Sequence, residues 1–318
     1  MSDYMYDIEY YGTVDIGTPP QSLRLDFDTG SADLWFASTQ CKFCGAKQIK
    51  FDASKSSTFK PINRTFEITY GDKSKSSGTL GTDVVRFGDL TIENQIVELA
   101  SEESKDFQSG TIDGLVGLAF GPLASVKGIK TPLENLLDKG VLAEPIFGVF
   151  LGKGSEGGGG EFIFGGYDKE RFSGELHSVP VDKTKGYWAV NVDRASIGDQ
   201  TVANNLEAIV DTGTTLVIFP PAIASTIATR YNATDNGDGT YTIPCDVSGF
   251  PSLQFTFKDK TFEVPTESLV YYNDKGKCMA AFSYSDLPFA ILGDIFLKDN
   301  YVVFDFGKPE VRIAAIKK

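Results

Sequence analysis

The chain has 318 residues and a formal net charge of −13, with 43 acidic residues against 30 basic ones. This length is near the size at which one hydrophobic core stops growing, so two domains are the better expectation, although an all-β chain can stretch one domain further. The acidic balance disfavours nucleic acid and anionic membranes as partners, and no apolar run reaches the ~20 residues of a membrane helix.

Short apolar runs rich in Val, Ile, Phe and Tyr recur along the chain, separated by Gly, Pro, Asn and Asp. The first segment, MSDYMYDIEYYG, does not have the pattern of a signal peptide, so a secreted form would need a leader outside this chain. The strand-like runs that follow are FEITYGD, EFIFGGYD, YWAVNVDRASIG, LQFTFKDKTFEV and YVVFDFG. Only TPLENLLDKG and PPAIASTIATRYN predict helices, because each has proline near its start. The pattern predicts a mainly β protein with short helices.

Two further segments predict turns. GKGSEGGGGE, at 152–161, is flexible by composition and fits either a domain linker or the tip of a hairpin. TDNGDGTY, at 234–241, resembles a calcium-binding loop, but the glutamate required at the twelfth position is missing, which favours a hairpin turn.

Four cysteines fall into two groups, Cys41 with Cys44 and Cys245 with Cys278. An even number suits two disulfides and an oxidising compartment. CKFC could instead be a redox motif, although no βαβ pattern surrounds it. A zinc site would need more ligands, and the chain has one histidine. The sequons Asn63-Arg-Thr and Asn232-Ala-Thr are candidate glycosylation sites and favour secretion.

The chain contains an internal repeat of the tripeptide DTG. One copy is Asp28-Thr29-Gly30 and the other is Asp211-Thr212-Gly213. Each has apolar residues before it and a hydroxyl residue after it, Ser31 or Thr214. About 80 to 90 residues later, each is followed by an apolar pair and a glycine, Leu115-Val116-Gly117 or Ile291-Leu292-Gly293. This repetition suggests two similar halves that face each other.

The repeat permits a specific chemistry. If Asp28 and Asp211 meet, their carboxylates cannot both ionise cheaply, so they share one proton over a wide pH range. A water held between them can then attack a carbonyl carbon while the protonated partner protonates the oxygen. This reaction requires neither a metal nor another cofactor.

The residues around the two aspartates suit this role. Gly30 and Gly213 let backbone amides approach the carboxylates. Ser31 and Thr214 can donate hydrogen bonds to the outer oxygens, and Thr29 and Thr212 can bond across the junction.

Other interpretations remain open at this point. The two aspartates could be ordinary turn residues, since Asp-x-Gly is common in turns, or the chain could be a binding protein without activity. A serine hydrolase would have to use His177, which we expect at the surface, yet no Gly-x-Ser-x-Gly elbow occurs.

The sequence resembles the pepsin-like aspartic proteinases, family A1, and most closely the secreted fungal acid proteinases of the rhizopuspepsin type. The resemblance rests on DIEYYGTVDIGTPPQ, LDFDTGSADLW, TYGD, DGLVGL, PIFGVFLGK, AIVDTGTTL, DNGDGTYTIPC and FAILGDIFLKDNYVVFDFG. It implies a bilobal β fold with a cleft between two pseudo-twofold-related lobes, which we place at 1–173 and 174–318. It also implies that Asp28 and Asp211 are catalytic, and that Cys41 pairs with Cys44 and Cys245 with Cys278.

The same resemblance implies a secreted, monomeric acid endopeptidase that is made as a zymogen and is sensitive to pepstatin-like inhibitors. Its substrates would be peptides and proteins cleaved between bulky apolar residues. No metal or cofactor is implied.

The resemblance further places Tyr70-Gly71-Asp72 at the tip of a flap over the cleft, with FEITY as a strand and GDKSKSSG as a polar turn. Trp35 would support the Tyr70 hydroxyl by a hydrogen bond, and closure of the flap would exclude water. Four further residues would line the substrate subsites: Phe107 and Leu115 near S1 and S3, and Ile209 and Thr215 on the primed side and outer cleft.

Two positions depart from the usual family pattern. Asp72 stands where animal pepsins have threonine, and fungal relatives with aspartate there accept lysine at P1, so we expect the same here because a flap carboxylate can pair with an ammonium group. Ala32 replaces the usual second serine after DTGS, but Ser31 remains, so we expect activity.

Overall fold

The computed structural model describes residues 2–4 and 9–317. The segment MSDYMYDIEYYG, which was predicted not to be a signal peptide, spans residues 1–12. Residues 1 and 5–8 of this segment lie outside the described residues. Contacts within the chain separate two compact units, the first comprising 2–4, 9–143 and 184–187 and the second 144–183 and 188–317. Within the described ranges, no helix combines the length and apolarity needed to cross a membrane.

The first unit is built on one eight-stranded sheet with the strand order β1-β2-β3-β8-β4-β7-β6-β5, in which β2 also pairs with β6. Its strands are β1 (Ser2–Tyr4), β2 (Glu9–Ile16), β3 (Gln21–Asp28), β4 (Leu34–Ala37), β5 (Lys60–Thr69), β6 (Lys75–Phe87), β7 (Leu90–Glu103) and β8 (Gly114–Gly117). Two short helices, α1 (Lys105–Ser109) and α2 (Pro132–Asp138), and the 3₁₀ turns Ala53–Lys55 and Gly121–Leu123 connect them.

The second unit contains two sheets. The five-stranded sheet has the order β10-β9-β22-β23-β11, and the ten-stranded sheet has the order β15-β16-β20-β14-β21-β13-β12-β17-β18 with β19 paired to β20. The strands are β9 (Ile146–Leu151), β10 (Gly160–Phe164), β11 (His177–Pro180), β12 (Ala189–Ile197), β13 (Gln200–Val210), β14 (Val217–Phe219), β15 (Thr234–Asp235), β16 (Thr240–Ile243), β17 (Leu253–Phe257), β18 (Lys260–Val264), β19 (Val270–Asp274), β20 (Lys277–Tyr284), β21 (Ala290–Leu292), β22 (Asn300–Asp305) and β23 (Glu310–Ala315). Its helices are α3 (Pro221–Arg230) and α4 (Asp294–Leu297), with 3₁₀ turns at Gly154–Glu156 and Thr266–Ser268.

The two units repeat one strand arrangement. In the first unit, β3 runs parallel to β8, β8 antiparallel to β4, and β4 parallel to β7. In the second unit, β13 runs parallel to β21, β21 antiparallel to β14, and β14 parallel to β20. The mainly β fold with short helices and an internal repeat is therefore confirmed.

Both predicted helices form. In α2, the side chain of Thr131 accepts a hydrogen bond from the Glu134 amide, while the Glu134 side chain accepts one from the Thr131 amide. This capping box, with Pro132 at the first helical position, fixes the start of the helix. The sequence did not predict α1 or α4, because four or five residues are too few to show a helical period.

The structure decides the segments that the sequence left open. The glycine-rich segment connects the antiparallel strands β9 and β10 as a hairpin, so the linker interpretation is wrong. TDNGDGTY forms the hairpin of β15 and β16, as predicted. The predicted lobe boundary between 173 and 174 stays a prediction, although by contacts the chain changes unit between 143 and 144, since β9 pairs with β22.

One predicted turn is too long. The sequence placed a polar turn at 71–78, but β6 already begins at Lys75. Ser74 and Ser76 are buried while Lys75 between them is exposed. The alternation of buried serine and exposed lysine is the two-residue period of a half-buried strand. Because the buried residues are polar, the sequence pattern did not predict a strand there.

Candidate active site

The first half of the candidate site lies where β3 ends at Asp28. Its side chain is 5% exposed. One carboxylate oxygen accepts a hydrogen bond from the Gly30 amide at 2.7 Å, and the other accepts one from the Ser31 hydroxyl at 2.5 Å. The polar neighbours thus provide the hydrogen bonds that a buried carboxylate requires.

A close crossing of two chain segments fixes this turn. The amide of Leu118 donates to the carbonyl of Asp28 at 2.7 Å, and the amide of Gly117 donates to the carbonyl of Asp33 at 2.8 Å. A Cβ atom on Gly117 would lie 2.5 Å from the backbone of Asp33. The glycine that follows the apolar pair is therefore required by the approach of the two backbones.

The second half of the candidate site repeats this geometry directly after β13. Asp211 is 6% exposed. Its carboxylate accepts hydrogen bonds from the Gly213 amide at 2.9 Å and from the Thr214 hydroxyl at 2.8 Å. A Cβ atom on Gly293 would lie 2.2 Å from the carbonyl oxygen of Thr214.

The two halves therefore hold a carboxylate in the same way, with one backbone amide and one hydroxyl each. The structure also places the remaining predicted residues of these turns. Thr29 and Thr212 are buried, Ile209 is buried in β13 opposite Ile291, and Thr215 is half-buried. Each half presents an acceptor of fixed orientation, which is the starting requirement for acid–base chemistry.

The predicted flap is the hairpin of β5 and β6. The hydroxyl of Tyr70 accepts a hydrogen bond from Trp35 Nε1 at 2.6 Å, as predicted. The amide of Tyr70 donates to the carbonyl of Ser74 at 2.9 Å and closes the turn. At the tip, Gly71 is exposed, and one carboxylate oxygen of Asp72 accepts hydrogen bonds from the Ser74 amide at 2.9 Å and hydroxyl at 2.7 Å.

Four predicted residues of the first unit lie together beneath this hairpin. The ring of Phe107 packs edge-on against Trp35 at 5.0 Å and against Tyr70 at 5.6 Å between centroids. Leu115 and Trp35 belong to the same buried cluster. Burial, and then the nearby Asp28 carboxylate, raise the pKa of Tyr70 well above its usual value, so its hydroxyl keeps its proton.

Sequence reasoning missed a pair of buried carboxyl groups in this unit. They are those of Asp33 and Glu98, both of which are 0% exposed. The carboxylate of Asp33 accepts hydrogen bonds from the Ser125 amide at 3.0 Å and hydroxyl at 2.7 Å. Burial, and then the Asp33 charge, raise the pKa of Glu98 to about 10. Neither oxygen of Glu98 has a partner at hydrogen-bond distance and angle among the described residues, although Asp33 lies close enough to act on its pKa.

Glu98 therefore stays protonated in mild acid. The sequence did contain a signal for burial of Asp33, because Asp33 lies in the same partly apolar segment, LDFDTGSADLW, as Asp28. Nothing in the residue types around Glu98 distinguishes it from an exposed strand residue.

The cysteines form the two disulfides that the resemblance implies, Cys41–Cys44 and Cys245–Cys278. The sulfurs of Cys41 and Cys44 and the Glu103 carboxylate lie within 4.8 Å of one another. Because the sulfurs are joined, the thiolates that a redox or zinc site would need are absent from CKFC.

The remaining predicted positions belong to neither DTG turn. His177, expected at the surface, is half-buried in β11, and its Nε2 atom is buried without a hydrogen-bond partner among the described residues. Its ring lies 6.2 Å from the Phe262 ring between centroids. Asn63 in β5 and Asn232 just beyond α3 are both exposed.

Comparison with known proteins gives consistent results. The family model for eukaryotic aspartyl protease matches residues 9–316. Rhizopuspepsin of Rhizopus chinensis is 52% identical over 316 residues, which covers 99% of this chain and 80% of that protein. Syncephapepsin of Syncephalastrum racemosum is 51% identical over 317 residues, with 100% and 80% covered. The probable vacuolar protease A of Trichophyton verrucosum is 35% identical over 325 residues, with 99% and 80% covered.

Proposed function

The chain belongs to the eukaryotic aspartyl proteases and is an aspartic endopeptidase, and we propose that Asp28 and Asp211 together form its catalytic dyad. The observation that carries the proposal is the repeated half-site. Each aspartate lies at the end of a strand of the repeated arrangement and accepts hydrogen bonds from the amide two residues later and the hydroxyl three residues later. Only these two positions of the chain carry the DTG motif.

In the proposed mechanism, the two carboxylates share one proton and hold a water molecule. The ionised aspartate removes a proton from this water as it attacks the carbonyl carbon of the peptide bond, and the protonated aspartate donates to the carbonyl oxygen. Aspartic proteinases are the standard case of such a shared proton. We assign the base to Asp28 and the acid to Asp211, with Thr29 and Thr212 bonding across the junction.

We further propose that the hairpin of β5 and β6 closes over the substrate, with Tyr70 as the contacting residue. The Trp35–Tyr70 hydrogen bond and the packing of Phe107 support this role. Phe107 and Leu115 would line the S1 and S3 subsites, while Ile209 and Thr215 would line the primed side and outer cleft. Their apolar surfaces favour bulky apolar side chains.

Asp72 gives the enzyme a second specificity, for lysine at P1. Its Oδ1 atom is engaged by Ser74, but its Oδ2 atom has no partner among the described residues, and the side chain is exposed at the tip of the hairpin. The free oxygen can pair with a lysine ammonium when the flap closes. Replacing Asp72 with Thr should lower kcat/KM for a Lys-P1 peptide about tenfold, the effect of ~1.4 kcal/mol, and leave a matched Phe-P1 peptide unaffected.

We also propose that the enzyme is secreted as a zymogen, acts as a monomer and is inhibited by pepstatin-like compounds. The two disulfides and the exposed sequons at Asn63 and Asn232 support an oxidising, extracellular destination.

The dyad is tested by peptide hydrolysis as a function of pH, with and without pepstatin, for the wild type and for Asp28→Asn and Asp211→Asn. Each substitution removes one partner of the proton relay, so each should lower kcat by ~10³-fold or more. Asp89→Asn makes the same chemical change in an exposed turn and should leave kcat unchanged.

Hydrolysis at neutral pH that ignores pepstatin and survives either dyad substitution would overturn the assignment. A wild-type protein that binds pepstatin but cleaves no peptide would instead indicate a binding protein on the same fold.

A further inference from the structure

An open pocket of about 370 Å³, whose lining does not include Asp211, lies in the second unit between α3 and the hairpin of β15 and β16. Polar and aromatic side chains line it: Ser225 and Thr229 from α3, Asp235 from the hairpin, and Tyr241 and Tyr284 from the strands beside it. None of these residues belongs to the proposed dyad, flap or subsites.

The sequon of Asn232 lies at the rim of this pocket. Thr229, three residues before Asn232, and Ala233, directly after it, both line the pocket. The amide of Ala233 donates a hydrogen bond to the carbonyl of Ala228 at 2.8 Å. Asn232 itself has φ 51, which turns the chain out of α3. Its side chain is exposed and makes no hydrogen bond to a described residue, so its amide nitrogen is available for modification.

The chemistry of the pocket suits a sugar. The Asp235 Oδ1 atom accepts from the Gly237 amide at 2.8 Å and from the Tyr284 hydroxyl at 3.1 Å, and the Oδ2 atom lies 3.3 Å from the same hydroxyl. An oriented carboxylate accepts hydrogen bonds from sugar hydroxyls, and the Ser225 hydroxyl can donate or accept. The half-buried Tyr284 ring supplies apolar surface on which the less polar face of a sugar packs.

We propose that Asn232 is N-glycosylated and that the first N-acetylglucosamine of the glycan lies in this pocket. In the modification, Nδ2 of Asn232 loses a proton and bonds to the anomeric carbon, while the bond from that carbon to the diphosphate of a lipid-linked oligosaccharide breaks. The docked sugar then contacts α3 and the hairpin of β15 and β16 together.

Tethering makes such a contact effective even though a free sugar would bind weakly. A short flexible tether holds its ligand at an effective concentration of about millimolar or higher. The linked sugar therefore occupies the pocket without any free carbohydrate in solution.

The other sequon serves as an internal control. Asn63 lies at a bulge of β5, where the register with β6 shifts between Ile62 and Thr65. No residue that lines the pocket comes from β5. A glycan there is equally tethered but has no comparable pocket beside it.

The test uses the full chain secreted from a yeast host, with peptide mapping by mass spectrometry to locate glycans. Amide hydrogen exchange of 225–229 and 234–243 is then compared between the glycosylated protein, the protein trimmed to one N-acetylglucosamine, and Asn232→Gln. Exchange in these segments should slow about threefold in both sugar-bearing forms, the factor expected when the effective concentration is about twice the dissociation constant.

Two matched variants separate docking from attachment. Ser225→Trp fills the pocket and should abolish the protection while Asn232 stays glycosylated. Thr226→Trp adds the same ring to an exposed position of α3 that does not line the pocket, so it should keep the protection. Asn63→Gln should also keep it.

Glycan at Asn232 with no change in exchange of either segment would overturn the docking, and an unmodified Asn232 in the secreted protein would overturn the whole proposal. Peptidase activity should be unchanged in all these variants, so the outcome is independent of the catalytic assignment.

Discussion

The two units hold their aspartates alike, but each also buries one neighbouring pair of carboxyl groups, and these two pairs are held in opposite ways. In the first unit, Asp33 and Glu98 are fully buried beside each other, and neither forms a salt bridge among the described residues. In the second unit, Asp305 and Glu310 are each 5% exposed and both pair with Arg312. The pair Asp33 and Glu98 therefore needs a proton where the pair Asp305 and Glu310 uses a guanidinium.

The difference gives Glu98 and Glu310 opposite responses to pH. The pKa of Glu98 is raised in the folded state, so its contribution to stability is complete below the unfolded value of 4.5 and is lost as pH rises towards about 10. Burial raises the pKa of Glu310, but Lys308 and Arg312 outweigh it and lower the value. Its contribution is complete above 4.5 and is lost as pH falls through the lowered pKa.

The largest expected effect is that of Glu98→Gln at neutral pH. Between the unfolded pKa of 4.5 and pH 7.5, the wild type loses about 4 kcal/mol at ~1.4 kcal/mol per pH unit. Glutamine carries no proton to lose, so the variant should be more stable by about that amount at pH 7.5 and similar to wild type at pH 4. Urea unfolding followed by Trp35 fluorescence measures this in a Trp188→Phe background, because each unit contains one of the two tryptophans.

The matched control is Glu102→Gln, at an exposed position of the same strand, which should not alter the pH dependence. If Glu98→Gln and wild type lost stability equally between pH 4 and pH 7.5, Glu98 would not be the group that needs the proton.

Arg312→Gln should produce the opposite pattern in the second unit. The substitution leaves two buried carboxylates without their shared partner, which should cost about 3 kcal/mol at pH 7. The cost should shrink towards pH 3, as pH falls through the lowered pKa of Glu310, because the protonated Glu310 carboxyl no longer needs the guanidinium. Trp188 fluorescence in a Trp35→Phe background follows this unit during urea unfolding.

Arg194→Gln removes an exposed arginine from the same unit and should have little effect at any pH. A cost of Arg312→Gln that was the same at pH 3 and pH 7 would show that packing, and not charge pairing, explains the contact.

Gly117 and Gly293, which pack against the backbone that follows the two DTG turns, test whether the two half-sites are structurally equivalent. Gly117→Ala and Gly293→Ala each place a Cβ atom within 2.5 Å of backbone atoms of the crossing segment. Each should therefore destabilise its own unit by about 2 kcal/mol or more and, if the proposed dyad is correct, lower peptidase activity, since the crossing orients the turn that carries the aspartate. Thermal unfolding and kcat/KM measure the two effects.

Gly249→Ala is the control, because no atom lies within 4 Å of the added Cβ. A tolerated substitution in one unit and a damaging one in the other would mean that the two crossings are not equivalent.

These features differ in how far the sequence revealed them. The repeat of DTG and its delayed glycine predicted both half-sites, because each element of the geometry needs a particular residue type. Glu98 could not be predicted, since burial of an acid in a strand is decided by which strands pair beside it. The same limit explains the turn after Tyr70, where buried serines concealed the start of β6.

The smallest expected effect concerns a feature that the first unit alone carries. Trp35 pairs with Leu115 where, in the repeated arrangement, Ile218 pairs with Ile291. Only the tryptophan has an N–H group to satisfy, and it donates to the Tyr70 hydroxyl at 2.6 Å. Tyr70→Phe leaves this buried donor without its acceptor, which should cost about 1 kcal/mol.

Tyr70→Phe also distinguishes an effect on the position of the flap, measured by kcat/KM, from an effect on the stability of the unit. If the hydrogen bond positions Tyr70 over the substrate, Tyr70→Phe should lower kcat/KM while the pH profile set by the dyad keeps its shape. Tyr272→Phe, at a side chain that is 40% exposed, should change neither stability nor kinetics. Unchanged stability and unchanged kcat/KM in Tyr70→Phe would mean that ring packing against Phe107 alone holds the flap, and that the buried Trp35 donor finds another acceptor.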